Sequence, residues 1–234
     1  MVKKFFLLRN FKDIFVQNTD KKKILKILKE VLNENSQVIK SLGKTYQNSY
    51  KKKQLSKYKK SSNFRVIGMG GSTLGTQAIY DFLKHKIKKK FIFINDLQKK
   101  QKKETKKGFT NLVVSKSGNT IETIVNSNIL IKKGDKNIFI TENKKSYLRI
   151  LAERLKAEIV NHNNFIGGRY SVLSEVGMLP TELMGLNTNN FKQLNGLIKN
   201  KKFFDSLVNN VASIFFLIKK KRYNSVIINY DEKS

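Results

Sequence analysis

Phe64-Arg65-Val66-Ile67-Gly68-Met69-Gly70-Gly71-Ser72 is a short apolar run that ends in glycines, and Leu74, Ala78, Ile79, Phe82 and Leu83 follow it at helical spacing. A run of that length stopped by glycine reads as a buried strand, and the period behind it as an amphipathic helix. The unit then repeats along the chain. Phe91-Ile92-Phe93-Ile94 is a second strand, followed by a basic segment, Lys99 to Lys107, that reads as a short exposed helix. Leu112-Val113-Val114 is a third, with Ile121, Ile124, Val125, Ile129 and Leu130 on its helix. Asn137 to Ile140 is a fourth, with Tyr147, Leu148, Leu151 and Leu155 behind it, and Ala157 to Val160 a short fifth. Strands without polar alternation, each followed by a helix, predict a parallel sheet covered on both faces. With right-handed crossovers the expected fold is α/β: a three-layer αβα sandwich on a doubly wound parallel sheet of about five strands, with further helices at either end.

Outside this block the pattern is helical. Ile24, Leu25, Ile27, Leu28, Val31 and Leu32 give Lys21 to Ile39 one buried face, while Ser49 to Asn63 is polar and lysine-rich, a connector or a helix lying on the surface. From Ser171 onward helices are expected over Val172 to Leu183, Phe191 to Ile198 and Phe203 to Ile218. Asn224 to Tyr230 then reads as one more strand with almost nothing after it. The expected organisation is a helical extension over 1–60, a ligand-binding domain over 61–170, linking helices over 171–222 and the opening strand of a second α/β unit over 223–234.

Composition bounds the partners. The 234 residues are 39% hydrophobic, enough for a core, and contain no cysteine and two histidines, which excludes disulfides and thiolate metal sites. The N-terminal Met1 to Arg9 has an apolar run of four residues with no cleavage site behind it, and no stretch has the roughly 18 apolar residues of a membrane span. A soluble, cytoplasmic protein without membrane contact is expected. The net charge of +31, from 48 Lys+Arg against 17 Asp+Glu, invites a polyanion-binding reading. The cations are nearly all lysine and scattered from end to end, however, whereas base readout favours arginine in a local patch. A solvated lysine-rich surface with no specific nucleic-acid partner is the simpler expectation.

Three segments carry chemistry. Gly68-Met69-Gly70-Gly71-Ser72 lets the main chain turn sharply where a strand meets a helix, and Ser72 adds a hydroxyl beside the helix's free N–H groups. It fails the dinucleotide pattern at Thr73 and the Walker pattern at Thr76, so alone it serves equally as a tight turn or a ligand site. Ser115-Lys116-Ser117-Gly118-Asn119-Thr120-Ile121-Glu122-Thr123 is more specific. Ser115, Ser117 and Thr120 supply hydroxyls after a strand, Gly118 bends the chain and Lys116 adds charge, the ingredients of a phosphate loop. Asn119 and Glu122 have the spacing of a capping box. Gly167-Gly168-Arg169-Tyr170-Ser171 sets a guanidinium in a loop, to hold anionic oxygen or to pair with one of the rare acids. His85 and His162 read as solvated surface or loop residues.

In order and content these segments resemble the glucose-6-phosphate isomerase family. Val66 to Gly75 is similar to its first glycine-rich signature, Ser115 to Thr123 to its sugar-phosphate loop, and Gly167 to Ser171 with Val176-Gly177-Met178-Leu179-Pro180 to its third. The middle loop is common to many sugar isomerase domains; the last two stretches together narrow the resemblance to this family. It implies interconversion of glucose 6-phosphate and fructose 6-phosphate without metal or organic cofactor, usually in a homodimer. By that resemblance Ser115, Ser117 and Thr120, with Lys116, hold the phosphate. Gly71, Ser72 and Gly168 line the sugar, and Arg169 stabilises the enediolate.

The resemblance also implies a glutamate base, a histidine and a lysine in a second half of which this chain holds only the first strand. Neither histidine, nor Glu175 nor Glu182, occupies the family's catalytic positions. The expectation is an N-terminal portion that binds sugar phosphate but lacks the base. A stand-alone sugar-phosphate sensor or another sugar-phosphate isomerase is the first alternative, a basic polyanion-binding protein the second.

Overall fold

The computed structural model describes residues 18–97 and 108–220, and side chains from residue 21 onward. The expected strand at Asn224 to Tyr230, the basic helix at Lys99 to Lys107 and the N-terminal apolar run lie outside the described residues.

The described residues begin with helices α1 (Asn18–Asn33), α2 (Gln37–Ser41) and α3 (Ser56–Lys59), then enter the sheet. Five strands follow: β1 (Asn63–Ile67), β2 (Lys90–Ile94), β3 (Thr110–Val114), β4 (Lys136–Thr141) and β5 (Glu158–Asn161). Helices α4 (Leu74–Leu83), α5 (Ile121–Leu130) and α6 (Tyr147–Arg154) lie between them, and α7 (Glu175–Leu183), α8 (Leu194–Lys199) and α9 (Lys201–Lys219) complete the described chain. All pairings are parallel, in the order β2-β1-β3-β4-β5. This is the doubly wound sheet read from the sequence.

Successive strand residues point to opposite faces, so each apolar run feeds two cores. Phe64, Val66, Leu112, Val114 and Ile138 pack with residues of α4 and α7 on one face. Ile67, Val113 and Phe139 pack with Leu130 of α5 and Leu148 and Ala152 of α6 on the other. A satellite cluster joins α1 to α9 through Ile24, Val208 and Ala212. Arg65, buried on the α5 face, donates to the Leu130 carbonyl at the end of α5 (2.9 Å) and to Asn111 Oδ1 (3.3 Å), and its guanidinium lies 4.1 Å from the Phe109 ring. A cation at a helix C-terminus is well matched to the carbonyls there.

The core reaches beyond residues 61–170. Tyr50, Leu55 and Tyr58 belong to the α4–α7 cluster, as do Val176 to Met184 from α7 and its end. Ser49 to Asn63 is therefore no mere surface connector: Leu55 is wholly buried and Tyr58 is 4% exposed, anchoring lysine-rich turns that have too few apolar residues to register as a period. The single long N-terminal helix of the sequence reading is broken at 34–36 into α1 and α2.

His85 is exposed, as expected. His162 is not: it is 3% exposed, immediately past β5, its backbone N–H donating to the Thr141 carbonyl at 2.8 Å. Its Nδ1 lies 2.9 Å from the Asn163 carbonyl and 3.7 Å from the Glu175 carboxylate. Burial pushes the imidazole below its ordinary value; the Asn163 carbonyl and the Glu175 charge oppose this only in part.

Two outcomes follow from this packing. Leu55→Ala empties a sealed position and is expected to cost about 2–5 kcal/mol, measured by urea unfolding. His162 makes stability pH-dependent in a stated direction. The unfolded histidine takes up its proton near 6.5 while the folded one resists, so stability falls as pH drops below that value. Urea unfolding at pH 7.5 and 5.5 checks this: His162→Asn is expected to flatten the difference.

Candidate functional site

From β1 the chain crosses to β2 on one side, and the next strand, β3, returns to the other side of β1. In this strand order the crevice at the C-terminal ends of β1 and β3 is where open α/β sheets bind ligands. The loops leaving those two strands are the first two segments singled out in the sequence. They abut: a Cβ on Gly68 would stand 2.7 Å from the Val114 carbonyl.

Gly71 carries the third segment into the same place. It lies in a 3₁₀ turn, Gly70–Ser72, and a side chain on it would run into the Gly168 carbonyl. Gly168 opens a second such turn, Gly168–Tyr170, so the two glycine turns meet backbone to backbone. Ser171 fastens them, its hydroxyl donating to the Gly168 carbonyl at 2.7 Å and lying 3.4 Å from that of Gly71. Ser72 is half-buried in the first turn, and Arg169 is exposed in the second with no ion pair among the described residues. Its guanidinium is thus left to solvent or a ligand. Arg169 also borders an open cavity of about 930 Å³ flanked by Phe82, Val172 and Phe191.

After β3, Ser115 is 2% exposed and its Oγ lies 2.9 Å from Thr120 Oγ1, closing the loop on itself. The Gly118 N–H points to Ser115 Oγ at 3.2 Å, and the Asn119 N–H to Ser117 Oγ at 3.2 Å. Gly118 has φ +67° and no room for a side chain, because Ser146 and Thr141 press on it. Only glycine makes that turn at no steric cost. The capping box is not formed. Thr120 is the N-cap of α5 and makes no side-chain bond to the helix amides, while Asn119 Oδ1 instead accepts from the Tyr147 N–H at 2.9 Å, at the start of α6. The leading amides of α5 therefore receive nothing from their own cap, a standing invitation to an anion.

Lys116 is bonded outside its own loop. Its ammonium donates to the Asn164 carbonyl at 2.8 Å and lies 3.5 Å from Glu142. Burial alone would raise the Glu142 carboxyl, but the ammoniums of Lys144 and Lys116 outweigh it and hold it below its usual range.

One group that the sequence reading named but left without a role lies in the interior. Glu175, fully buried in the first turn of α7, accepts from the Asn163 N–H at 2.6 Å and from the Tyr46 hydroxyl at 3.1 Å. The available signal was an acid set directly before the apolar run Val176 to Pro180 in a chain poor in acids. Beside it Lys192, 4% exposed, donates to the Tyr46 carbonyl at 3.4 Å, and burial lowers its ammonium to about 8. Among the described residues no group of acids and histidines is arranged to hold a metal, and no helix is long and apolar enough to cross a membrane.

Comparison with known proteins agrees with this architecture. The profile described as Phosphoglucose isomerase matches residues 7–230. Glucose-6-phosphate isomerase of Fusobacterium nucleatum is 28% identical over 79% of this chain and 50% of its own length. That of Methanocaldococcus jannaschii is 31% identical over 76% and 49%. The chain thus spans about half the length of the curated relatives it matches. In fold it is similar to a hypothetical protein of Thermus thermophilus, with a TM-score of 0.59 at 21% identity over 85% of this chain and 52% of that one. Tagatose-6-phosphate ketose/aldose isomerase of Escherichia coli has a TM-score of 0.50 at 14% identity, over 82% and 50%. With its strand order, its glycine-turn contact and a family profile running nearly from end to end, the chain belongs to the phosphoglucose isomerase family.

Proposed function

We propose that this chain forms the phosphate-holding half of a glucose-6-phosphate isomerase site. The observation that carries the reading is the loop after β3: an uncapped helix N-terminus beside paired hydroxyls, at the sheet's switch point. In this reading the phosphate takes the leading amides of α5 together with the hydroxyls of Ser115, Ser117 and Thr120. The sugar extends toward Gly71, Ser72 and Gly168. Arg169, unpaired among the described residues, faces the oxyanion of the enediolate. Lys116 acts from the rim, where its charge is shared with Glu142.

Isomerisation also needs a base that takes a proton from one carbon and returns it to its neighbour. Two carboxylates beside these loops are unsuited to that. Glu142 is held down by two ammoniums and Glu175 is spent on buried donors. The reading therefore assigns binding to this half of the site and leaves proton transfer to a group outside it. Binding is best measured by calorimetry at about 0.15 M salt, where the Debye length is about 8 Å and the diffuse field of the +31 charge is screened.

Fructose 6-phosphate is expected to bind and fructose not. Thr120→Val removes a hydroxyl from a charged ligand and is expected to weaken binding about 10- to 100-fold. Gly118→Ala, which forces a side chain against Ser146, is expected to abolish it. Equal affinity in all three proteins, with a steep salt dependence, would instead favour polyanion binding. In a coupled assay the chain alone is expected to turn over glucose 6-phosphate at least about 100-fold more slowly than a full-length relative, the usual contribution of a general base. Comparable turnover would overturn the assignment.

A further inference from the structure

We propose that Glu175 is a positioning residue for this site, its buried carboxylate setting both Lys116 of the phosphate loop and the Gly168–Arg169 turn. The proposal rests on the binding reading above for its purpose, but its geometry stands alone.

A carboxylate without solvent exposure is costly unless donors replace the lost water. Glu175 gathers its donors from distant parts of the chain: the Asn163 N–H at 2.6 Å, and the Tyr46 hydroxyl at 3.1 Å. The dipole of α7 favours an anion in its first turn. Tyr46 remains a donor throughout the physiological range, because burial and the Glu175 charge push its hydroxyl up to about 12.

The bond to Asn163 joins residues 12 apart, and between them runs the whole Gly167–Ser171 segment. Glu175 therefore closes the base of the loop that carries Gly168 and Arg169. Asn163 has no freedom left once held. Its carbonyl accepts from the Ile166 N–H at 3.1 Å and meets His162 Nδ1 at 2.9 Å, and its Oδ1 accepts from the Phe165 N–H at 3.0 Å. Two consequences leave this clamped turn in opposite directions. The next carbonyl, that of Asn164, is aimed at the Lys116 ammonium and receives it at 2.8 Å. Downstream, Ile166 is wholly buried and hands the chain to Gly167, so the contact of Gly168 with Gly71 starts from a fixed point. One carboxylate thus sets the spacing between the two anion-binding loops.

A residue that only stabilised the fold would loosen every part of it together when altered. A positioning residue loosens the two loops first. Hydrogen exchange distinguishes the two without any ligand. In Glu175→Gln, the Tyr170, Ser171, Gly118 and Glu142 amides are expected to exchange about tenfold faster while those of β1 and β3 keep their protection. Glu182→Gln, on the same helix but paired with Lys52 and Lys59, is expected to leave these loops unchanged. Tyr46→Phe removes one donor and no charge, and is expected to give the same local pattern at smaller amplitude. It carries the test should Glu175→Gln fail to fold. In parallel, the dissociation constant for fructose 6-phosphate is expected to rise about tenfold in Glu175→Gln. Exchange rising uniformly through the sheet, or unchanged in the loops, overturns the positioning role. Failure of the unaltered protein to bind fructose 6-phosphate overturns the binding reading instead, and the exchange pattern still decides the role of Glu175.

Discussion

The parallel pairing of β1 with both β2 and β3 is the constraint from which the rest of the molecule hangs. It buries β1 and β3 on both faces, which favours apolar runs and a helix on either side. It also makes the chain leave β1 and β3 on diverging paths, and so opens a crevice that neither loop could make alone. Gly68 then has to pass beside the Val114 carbonyl, and Gly71 has to receive the Gly168 backbone. The glycines of the first segment answer to close approach between main chains. A ligand contact is not needed to explain them, which is why that segment is ambiguous when read by itself.

Strands and their order of appearance were legible because a parallel sheet writes itself in short apolar runs, and all five begin within two residues of where they were expected. What was not legible shares one physical cause. Leu55 and Tyr58 bury fully from turns made mostly of lysine and serine, where one apolar side chain per turn cannot establish a period. His162 and Glu175 bury beside Asn163 and each other, and Tyr46, 129 residues from Glu175, completes the group, a partner with no sequence spacing to read. Asn119 shows the opposite failure. Its spacing to Glu122 fits a cap on its own helix, yet its side chain crosses to the N–H of Tyr147, 28 residues away. Local pattern predicted which residues turn the chain, and tertiary contact decided whom they bond.

Charge makes the same point from the other side. In a chain with 48 basic and 17 acidic residues, a lysine carries almost no information and an acid carries a great deal. Asp135 accepts from the Phe109 and Lys132 backbones and from Asn111, fixing the entry to β3 and β4. Glu142 holds Lys116 and Lys144, Glu182 holds Lys52 and Lys59, and Glu175 ties Tyr46 to Asn163. Each of these acids joins segments that the sheet alone would leave independent. Mutual repulsion among scattered lysines costs little once screened, whereas Asp135 and Glu175 accept directed hydrogen bonds that no counter-ion replaces.

Helix α5 packs in an unusual way. Its buried positions include Thr123, Asn126 and Ser127, while Ile121, Val125 and Ile129 face outward, the reverse of an ordinary amphipathic helix. The polar groups are largely used inside: Asn126 donates to the Asp96 carbonyl just past the end of β2, and Ser127 to the Thr123 carbonyl. The helix also packs against β1 and β3. The helix takes no lysine along its length, so within it only the backbone amides favour an anion at the N-terminus. On the proposed reading, selectivity for a phosphate group in so basic a protein rests on direction rather than on charge, since any surface lysine attracts an anion but only aligned amides and hydroxyls orient one.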